Sequence, residues 1–194
     1  MTGAVLTGLP PLVSGQTRLL ILGSFPGAAS LAARQYYGHP QNQFWKILQA
    51  IWPDSPDIMG ADSYQIRSEW LLSKGLGVWD VYAACEREGS LDSRIRRPVV
   101  NDFSLLRHRC PQLQAIAHNG GESFRHAKFV MLALSAAGPP QGAKAPSGSS
   151  AAREAASVVP QFYRLPSTSP ANASWSFERK LGVWRGVFET HGLI

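Results

Sequence analysis

The sequence predicts an α/β fold, a three-layer α/β/α sandwich with a central, mainly parallel four-stranded sheet. Four short apolar runs occur along the chain and three of them are followed by a polar turn, which is typical of strands that end at the edge of such a sheet. Segments with apolar residues at helical spacing follow these turns. Strands that alternate with helices indicate a parallel sheet covered by helices on its faces.

The predicted strands lie within residues 18–25, 75–82, 113–121 and 158–165. The first, RLLILGSF, is apolar without alternation, as expected for a strand buried on both faces. GLGVWDVY and LQAIAHNGG repeat the pattern of an apolar run that ends in polar or glycine residues. VVPQFYRL supplies the fourth strand before the polar turn STSPANAS.

Four helices are predicted from apolar spacing and from caps. One begins near Gln43 and ends at Pro53, with a buried face formed by Phe44, Ile47, Leu48 and Ile51. Asn101 reads as the cap of a short helix that Pro111 ends. The remaining two place on their buried faces Phe124, Ala127, Met131 and Leu134 in one case and Phe177, Leu181, Trp184 and Phe188 in the other.

The composition favours one globular domain over residues 1–194, since 44% of the residues are apolar. A chain of this length can bury about 70% of the surface that it exposes when unfolded. The stretch at 138–150 is rich in Gly, Pro and Ser, and we expect a flexible surface loop. An interdomain linker is less consistent with the short segment that follows it.

The charge balance favours an acidic partner, because 19 basic residues face 13 acidic ones and the net charge is +6. Cys85 and Cys110 form no CxxC pair, so we expect two buried thiols and neither a disulfide framework nor a zinc site. The first 18 residues lack the pattern of a secretory signal, and no apolar run reaches the length of about 20 residues that a membrane helix needs. We therefore expect a cytoplasmic protein.

Three polar turns follow predicted strands, and parallel strands bring their carboxyl ends to one edge of the sheet. The turns are GSFPG with its extension HPQN, then HNGG, then STSPANAS, and we expect them to line one cleft. A serine-hydrolase elbow would need serine at the centre of G-x-S-x-G, where Phe25 stands, with Ser24 one place away. GSFPGAAS also lacks the glycine spacing of a dinucleotide-binding loop.

The motifs GSFPG, YYGHPQNQFWKIL, HNGG and LPSTSPANAS, in this order, resemble those of the uracil-DNA glycosylase superfamily. The resemblance is greatest to its hypoxanthine-DNA glycosylase branch. The mismatch-specific uracil and thymine glycosylases share the H-P-x-N-x-F-W-K segment. The similarity extends from about Arg18 to Trp184 and omits only the Pro- and Ser-rich loop.

The resemblance implies the candidate catalytic residues Ser24, Phe25 and Asn42. In the mismatch enzymes the first motif is GINPG, whose asparagine holds the attacking water, and Phe25 occupies the matching position here. Phenylalanine cannot hold water by a hydrogen bond. The hypoxanthine branch also lacks a polar residue at this point, and the resemblance implies that Asn42 of HPQN takes over the catalytic role.

The resemblance also implies the residues that bind substrate. Tyr37 matches the aromatic residue on which the flipped base stacks, and Asn119 matches an asparagine that reads a base edge. The wider set of substrate-binding candidates is Tyr36, Tyr37, His39, Asn119, Gly23 and Gly27. The turn STSPANAS matches the loop that grips phosphates and enters the duplex, and its DNA-binding candidates are Ser167, Thr168, Ser169, Pro170 and Asn172.

Elementary chemistry is consistent with these assignments. A base must leave the stack before its bond to deoxyribose can be cut, and an aromatic platform returns about 1–3 kcal/mol of the cost. Negative charge develops on the departing base, so neutral amides can stabilise it. The turns contain no lysine that could form a Schiff base, which predicts a monofunctional enzyme. No metal or organic cofactor is expected.

Each residue also has a structural interpretation. Asn42 could cap the helix that starts at Phe44, and Asn119 with Gly120 could form an ordinary tight turn. The two tyrosines could pack a lid, and His39 is more readily a structural hydrogen-bonding histidine than a general base. Three further features have plain alternatives: RIRRP and RHR as solvated surfaces, and Asp80 and Asp92 as turn or cap residues rather than acids that position water.

The sequence thus predicts a DNA glycosylase that acts as a monomer on double-stranded DNA with deaminated or mismatched bases. Hypoxanthine is the expected base by resemblance, with uracil and mismatched thymine as close alternatives. A second hypothesis is a non-catalytic protein that binds damaged or single-stranded DNA through the same cleft, because Phe25 has replaced the water-binding residue. A third is a hydrolase of free nucleosides.

Overall fold

A computed structural model describes residues 4–55, 64–136 and 159–194. Its centre is a four-stranded sheet made of β2 (Leu19–Gly23), β3 (Leu76–Asp80), β6 (Ala115–Asn119) and β7 (Gln161–Leu165). The strand order is β3-β2-β6-β7 and every pairing is parallel. The predicted α/β class and the four-stranded parallel sheet are confirmed.

Strand β2 lies at the topological centre of this sheet, because β3 joins it on one side and β6 on the other. All five residues of β2 and of β3 are buried, in agreement with their uninterrupted apolar sequences. The register places Gly23 beside Asp80 at the carboxyl ends of the two strands. Successive strands added to opposite sides open a crevice at these ends, which is where α/β sheets bind ligands.

Seven α-helices are assigned within the described part of the chain. They are α1 (Ala28–Ala33), α2 (Phe44–Ile51), α3 (Tyr64–Ser73), α4 (Leu106–Arg109), α5 (Gly121–Phe124), α6 (Ala127–Ala136) and α7 (Phe177–Thr190). Two 3₁₀ turns lie at Asp92–Arg94 and Phe103–Leu105. The predicted buried face of α2 is confirmed at all four positions, and Trp184 and Phe188 of α7 are fully buried.

Three predicted details are wrong. Asp102 caps the 3₁₀ turn that precedes α4, its carboxylate accepting from Ser104 N, whereas the Asn101 amide donates to the Asp80 carbonyl. The helical segment after HNGG is interrupted between α5 and α6. Its buried apolar residues are Val130 and Leu134, the latter as predicted, whereas Phe124, Ala127 and Met131 are only partly buried.

A second, antiparallel sheet was not predicted. It consists of β1 (Val5–Thr7), β4 (Tyr82–Glu86) and β5 (Arg96–Val100) in the order β1-β4-β5. β1 has only three residues, and β5 has the sequence RRPVV with four exposed positions. Neither has the period of two that identifies a half-buried strand in a sequence. This sheet carries the segment 87–95, which reaches the carboxyl edge of the main sheet.

Two other expectations concern the whole chain. Cys85 and Cys110 are buried free thiols, as predicted. None of the helices in the described ranges is both long and apolar enough to cross a membrane. The expected loop at 138–150 lies outside the described residues.

Candidate functional site

A cavity of about 940 Å³ opens at the carboxyl ends of the main sheet. The three polar turns identified in the sequence all line it, together with Asn42 and Tyr37. Asp80 and the segment 90–93 complete the wall. The carboxyl ends of the parallel strands therefore bring the three turns together. The two further contributions, Asp80 and the segment 90–93, come from positions for which the sequence predicts structural roles or no role.

The first turn is held in place by the segment that follows β4. Ser24 Oγ donates to Asp92 Oδ1 at 2.7 Å, and Ala28 N donates to Ser90 Oγ at 3.0 Å. Desolvation of the Asp92 carboxyl raises its pKa, and the bond from Ser24 opposes that rise. The serine hydroxyl is thus committed to a carboxylate as a donor. Its contact is that of a residue that orders the turn, and its predicted catalytic role stays a prediction.

Phe25 packs into the protein beneath this turn. Its side chain is 6% exposed, and the Arg87 guanidinium lies 5.0 Å from its ring centroid. Arg87 is itself buried and donates to the carbonyl oxygen of Pro26. The position at which the mismatch enzymes carry an amide is therefore occupied by a ring stacked with a cation, which has no group for binding water.

The two tyrosines of the QYYGHPQN segment have different environments. Tyr36 is 4% exposed, and its hydroxyl donates to the carbonyl oxygens of Leu9 and Pro10 at 3.2 and 2.9 Å. These contacts agree with the structural interpretation of Tyr36 as a packing residue. Tyr37 keeps partial exposure, and one face of its ring stacks on Phe44 with centroids 3.9 Å apart. Only the opposite face of Tyr37 is available for a base.

Tyr37 has φ of 54°, a left-handed conformation that is costly for a large side chain. Burial raises the pKa of its hydroxyl, which lies close to the Asn119 amide. The backbone strain and the stacking on Phe44 together fix the direction of the ring. A residue in such a conformation persists only where the surrounding structure holds it.

Asn42 stands one residue before Gln43, the N-cap of α2, and leaves half of its amide free. Its Oδ1 accepts from Phe44 N at 2.9 Å, so the side chain orders the first turn of α2. No described residue pairs with its Nδ2, and the residue lines the cavity close to Tyr37. His39 is exposed, and its Nδ1 accepts from Gln41 N at 3.1 Å, which supports the structural interpretation.

Asn119 at the end of β6 is bonded to the third turn by both amide atoms. Its Nδ2 donates to Thr168 Oγ1, and its Oδ1 accepts from Thr168 N, each at 2.9 Å. The next residue, Gly120, has φ of 108°, and a Cβ there would lie 3.1 Å from Ser167 Cβ. Glycine is needed at this point for both reasons. The Asn119 amide also interacts with the Tyr37 hydroxyl, which opposes the rise in the pKa of that hydroxyl.

The turn 167–172 is tied down from within. Thr168 is fully buried, and its carbonyl accepts from Gln43 N at 3.0 Å. Thr168 therefore anchors the turn from a buried position at the cavity wall, and its contact with DNA stays a prediction. Lys180, 1% exposed, donates from Nζ to Gln43 Oε1 at 2.8 Å and to Asn172 O at 3.0 Å.

The surface of this turn is formed by the remaining candidates. Ser167 and Ser169 are partly buried and Pro170 is exposed. Ser169 N donates to Ser167 Oγ at 3.2 Å, and Asn172 Nδ2 donates to Ser167 O at 3.0 Å. These contacts present backbone and hydroxyl groups from a turn of defined shape beside the cavity.

Asp80 is the least expected member of the site. It is 5% exposed, lines the cavity, and has Oδ2 buried without a hydrogen-bonding partner in the described structure. Its Oδ1 lies so close to Gly23 that a Cβ on that residue would overlap it. Desolvation raises the pKa of the carboxyl to about 7, with a further rise from Asp92 and a fall from Arg87.

Sequence reasoning named Asp80 and Asp92 but favoured turn or cap roles for them. The missed signal was position: Asp80 ends a wholly buried strand at the edge where the other turns meet, like Asn119 on β6. Arg164 of β7 was also missed, and its guanidinium lies over Gly121 at the rim of the cavity. The described ranges contain no cluster of three or more His, Cys, Asp or Glu side chains suited to a metal ion.

Comparisons with known proteins agree on one family. The family model described as "Uracil DNA glycosylase superfamily" matches residues 10–186. Hypoxanthine DNA glycosylase from Methanosarcina barkeri is 40% identical over 116 residues, which are 60% of this chain and 72% of the relative. The protein of the same name from Methanosarcina acetivorans is 40% identical over 114 residues, 58% of this chain and 70% of the relative.

A solved structure is similar along almost the whole chain. It is a solution NMR structure of a candidate uracil DNA glycosylase from Methanosarcina acetivorans. The TM-score is 0.72 at 29% sequence identity, and the match covers 96% of this chain and 98% of the other.

Proposed function

Because the chain belongs to the uracil DNA glycosylase superfamily, we propose that it is a monofunctional DNA glycosylase of base excision repair. It hydrolyses the N-glycosidic bond of a deaminated base that has been flipped out of duplex DNA. Hypoxanthine is the preferred base in this proposal, in line with the names of the two relatives, and uracil and mismatched thymine are the nearest alternatives. The protein acts in the cytoplasm as a monomer.

One observation carries the proposal: Asn42, Tyr37 and the turn 167–172 line the same cavity at the carboxyl edge of the sheet. This supplies, within one site, an aromatic surface for a base, an amide donor and a turn that can follow a DNA backbone. An extrahelical base costs a few kcal/mol of lost stacking and pairing, and stacking on Tyr37 offsets about 1–3 kcal/mol of it.

In this proposal Asn42 positions the attacking water. Its Oδ1 is fixed by Phe44 N, so its Nδ2 is held in one direction and can donate to a water oxygen. An amide does not remove a proton from water. The reaction tolerates this because positive charge already develops on the sugar as the bond to the base lengthens, so a weak nucleophile suffices once it is positioned.

The DNA contact rests on the turn 167–172 and on charge. Ser167, Ser169 and Pro170 are among its accessible residues, and the Arg164 guanidinium stands at the same rim. With a net charge of +6 the affinity for duplex DNA should fall as salt rises. None of the described residues that line the cavity is a lysine, consistent with hydrolysis by water without a Schiff base.

The test is a panel of duplex oligonucleotides that carry inosine, uracil or thymine opposite each normal base. The protein, in excess over the DNA, is incubated with each duplex. Abasic sites are then cleaved with alkali. We expect strand breaks to form fastest in the duplexes that carry inosine. Asn42→Asp is the sharpest variant, since a carboxylate retains the acceptor for Phe44 N but lacks the Nδ2 donor.

We expect Asn42→Asp and Asn42→Ala to lower the single-turnover rate by about 10²-fold or more, the usual effect of removing a positioned donor. Gln41→Ala removes an amide one residue away, from an exposed side chain that does not line the cavity, and should keep the full rate. Full activity in Asn42→Ala would refute the assignment of Asn42. No strand breaks with any duplex would refute the glycosylase itself.

A second candidate is a protein that binds damaged or single-stranded DNA without cutting it. The observation that favours it is Phe25, buried against Arg87 where the mismatch enzymes hold water. It predicts salt-sensitive binding to the inosine duplexes and no abasic sites. Hydrolysis of free inosine with no affinity for DNA would point instead to a nucleoside hydrolase.

A further inference from the structure

Asp80 is a buried polar group to which the proposed mechanism has given no task. Its side chain ends β3 at the cavity, 5% exposed, and the described residues offer no donor or acceptor to Oδ2. Buried polar atoms are normally hydrogen-bonded, and an orphan at a cleft calls for a ligand. Gly23 lacks the Cβ that would otherwise overlap Oδ1, so the carboxyl fits closely against the first turn.

The titratable groups around Asp80 come from two segments of the chain. Asp92, in the segment after β4, opposes ionisation of Asp80, whereas Arg87 of that segment favours it. Tyr36 and Tyr37 face it from the loop before α2, and their hydroxyls stay neutral because burial raises the pKa of each well above its usual range. Burial is the largest influence, and the pKa of Asp80 reaches about 7.

Resting on the proposed function, we infer that Asp80 is a further substrate-binding residue, a neutral carboxylic acid that donates a hydrogen bond to the carbonyl oxygen of the flipped base. Hypoxanthine, uracil and thymine all carry such an oxygen beside a ring N–H. A protonated carboxyl has one O–H donor, and its second oxygen can accept from that N–H. An ionised carboxylate has only acceptors and would repel the oxygen.

The same hydrogen bond is worth most in the transition state. Negative charge moves onto the base as the glycosidic bond breaks, and part of it resides on the carbonyl oxygen. A neutral donor already in place and shielded from water stabilises that charge without reorganisation. Asp80 therefore acts on the leaving base from the sheet while Asn42 acts on the water.

The test measures single-turnover excision from an inosine duplex between pH 5.5 and 9 with protein in excess. Wild-type protein should lose activity as the pH rises through about 7, because the donor is lost when Asp80 ionises. Asp80→Asn keeps an N–H donor and a C=O acceptor at every pH. Its rate should stay within about five-fold of the wild-type rate at pH 6 and show no fall near pH 7.

Two further variants complete the comparison. Asp80→Ala removes the donor and should be slower than wild type by about 10²-fold at pH 6. Asp102→Asn changes a carboxylate that caps a 3₁₀ turn away from the cavity and should leave the profile unchanged. Circular dichroism confirms that each variant is folded before its rate is used.

Two outcomes would overturn the inference while excision itself stands. One is an Asp80→Asn profile that falls at the same pH as wild type. The other is wild-type activity that rises through pH 7 together with an inactive Asp80→Asn, which would make Asp80 an ionised base. Absence of excision by wild-type protein at every pH would refute the proposed function and the inference with it.

Discussion

Replacing Asp80 with asparagine should make the protein less sensitive to alkali. The pKa of Asp80 is about 7 in the folded protein, whereas an exposed aspartate titrates near 3.8. Between these values the folded state holds a proton that the unfolded state has released. Stability therefore falls as pH rises through this window and levels off above pH 7.

The magnitude follows from the width of the window. Each pH unit is worth about 1.4 kcal/mol, so the whole interval corresponds to about 4 kcal/mol, and the part above pH 5 to about 3 kcal/mol. Asparagine does not ionise. The decline in the free energy of unfolding from pH 5 to pH 8.5 should thus be smaller in Asp80→Asn than in wild type by about 3 kcal/mol.

The assay is urea denaturation followed by tryptophan fluorescence at pH 5 and pH 8.5. For each protein, the free energy of unfolding at one pH is subtracted from that at the other. A difference in packing between asparagine and aspartate is the same at both pH values and therefore cancels. Asp102→Asn is the control: hydrogen bonds to Ser104 lower the pKa of Asp102, so it is already ionised at pH 5. Equal pH dependence in wild type and Asp80→Asn would show that the buried carboxyl is ionised in the folded protein at pH 5.

Three more substitutions test the packing around the site. Gly23→Ala should destabilise the protein by about 1–3 kcal/mol, because its Cβ overlaps Asp80 Oδ1, and a lowered thermal midpoint would show it. Asn119→Ala leaves the buried Thr168 N–H without an acceptor and should cost about 2–3 kcal/mol in urea denaturation, with excision slowed as well; unchanged stability would argue against the bonds seen here. Lys180→Met should lower stability by about 1–2 kcal/mol and weaken binding to duplex DNA, whereas unaltered DNA affinity would separate this lysine from the function of the turn.

Strands β2 and β3 of the main sheet were predictable because they are buried on both faces. LLILG and LGVWD carry no polar residue before their ends, a pattern that few other environments produce. β5 was not predictable, since the sequence RRPVV lies exposed at the edge of the second sheet and owes its conformation to pairing with β4. Tertiary pairing decided the structure there, against the local sequence.

The site, like the fold, has parts that could be predicted from the sequence and parts that could not. Its turns were predictable because topology alone brings the ends of parallel strands together. The proposed role of Asp80 was not, because the close fit of its carboxyl depends on Gly23 across the strand pair and its raised pKa depends in part on Asp92, which follows β4. Thr168 shows the converse. A hydroxyl in a polar turn is expected to be exposed, yet the Thr168 side chain is buried and its hydroxyl accepts from Asn119 Nδ2.

The bonds from Asn119 and Lys180 to the turn 167–172 have a consequence for recognition kinetics. A loop that is ordered before it meets DNA loses little conformational entropy on contact, so encounters should be productive without a slow folding step. DNA affinity and the local stability of the turn should rise or fall together, since both depend on the same side-chain hydrogen bonds.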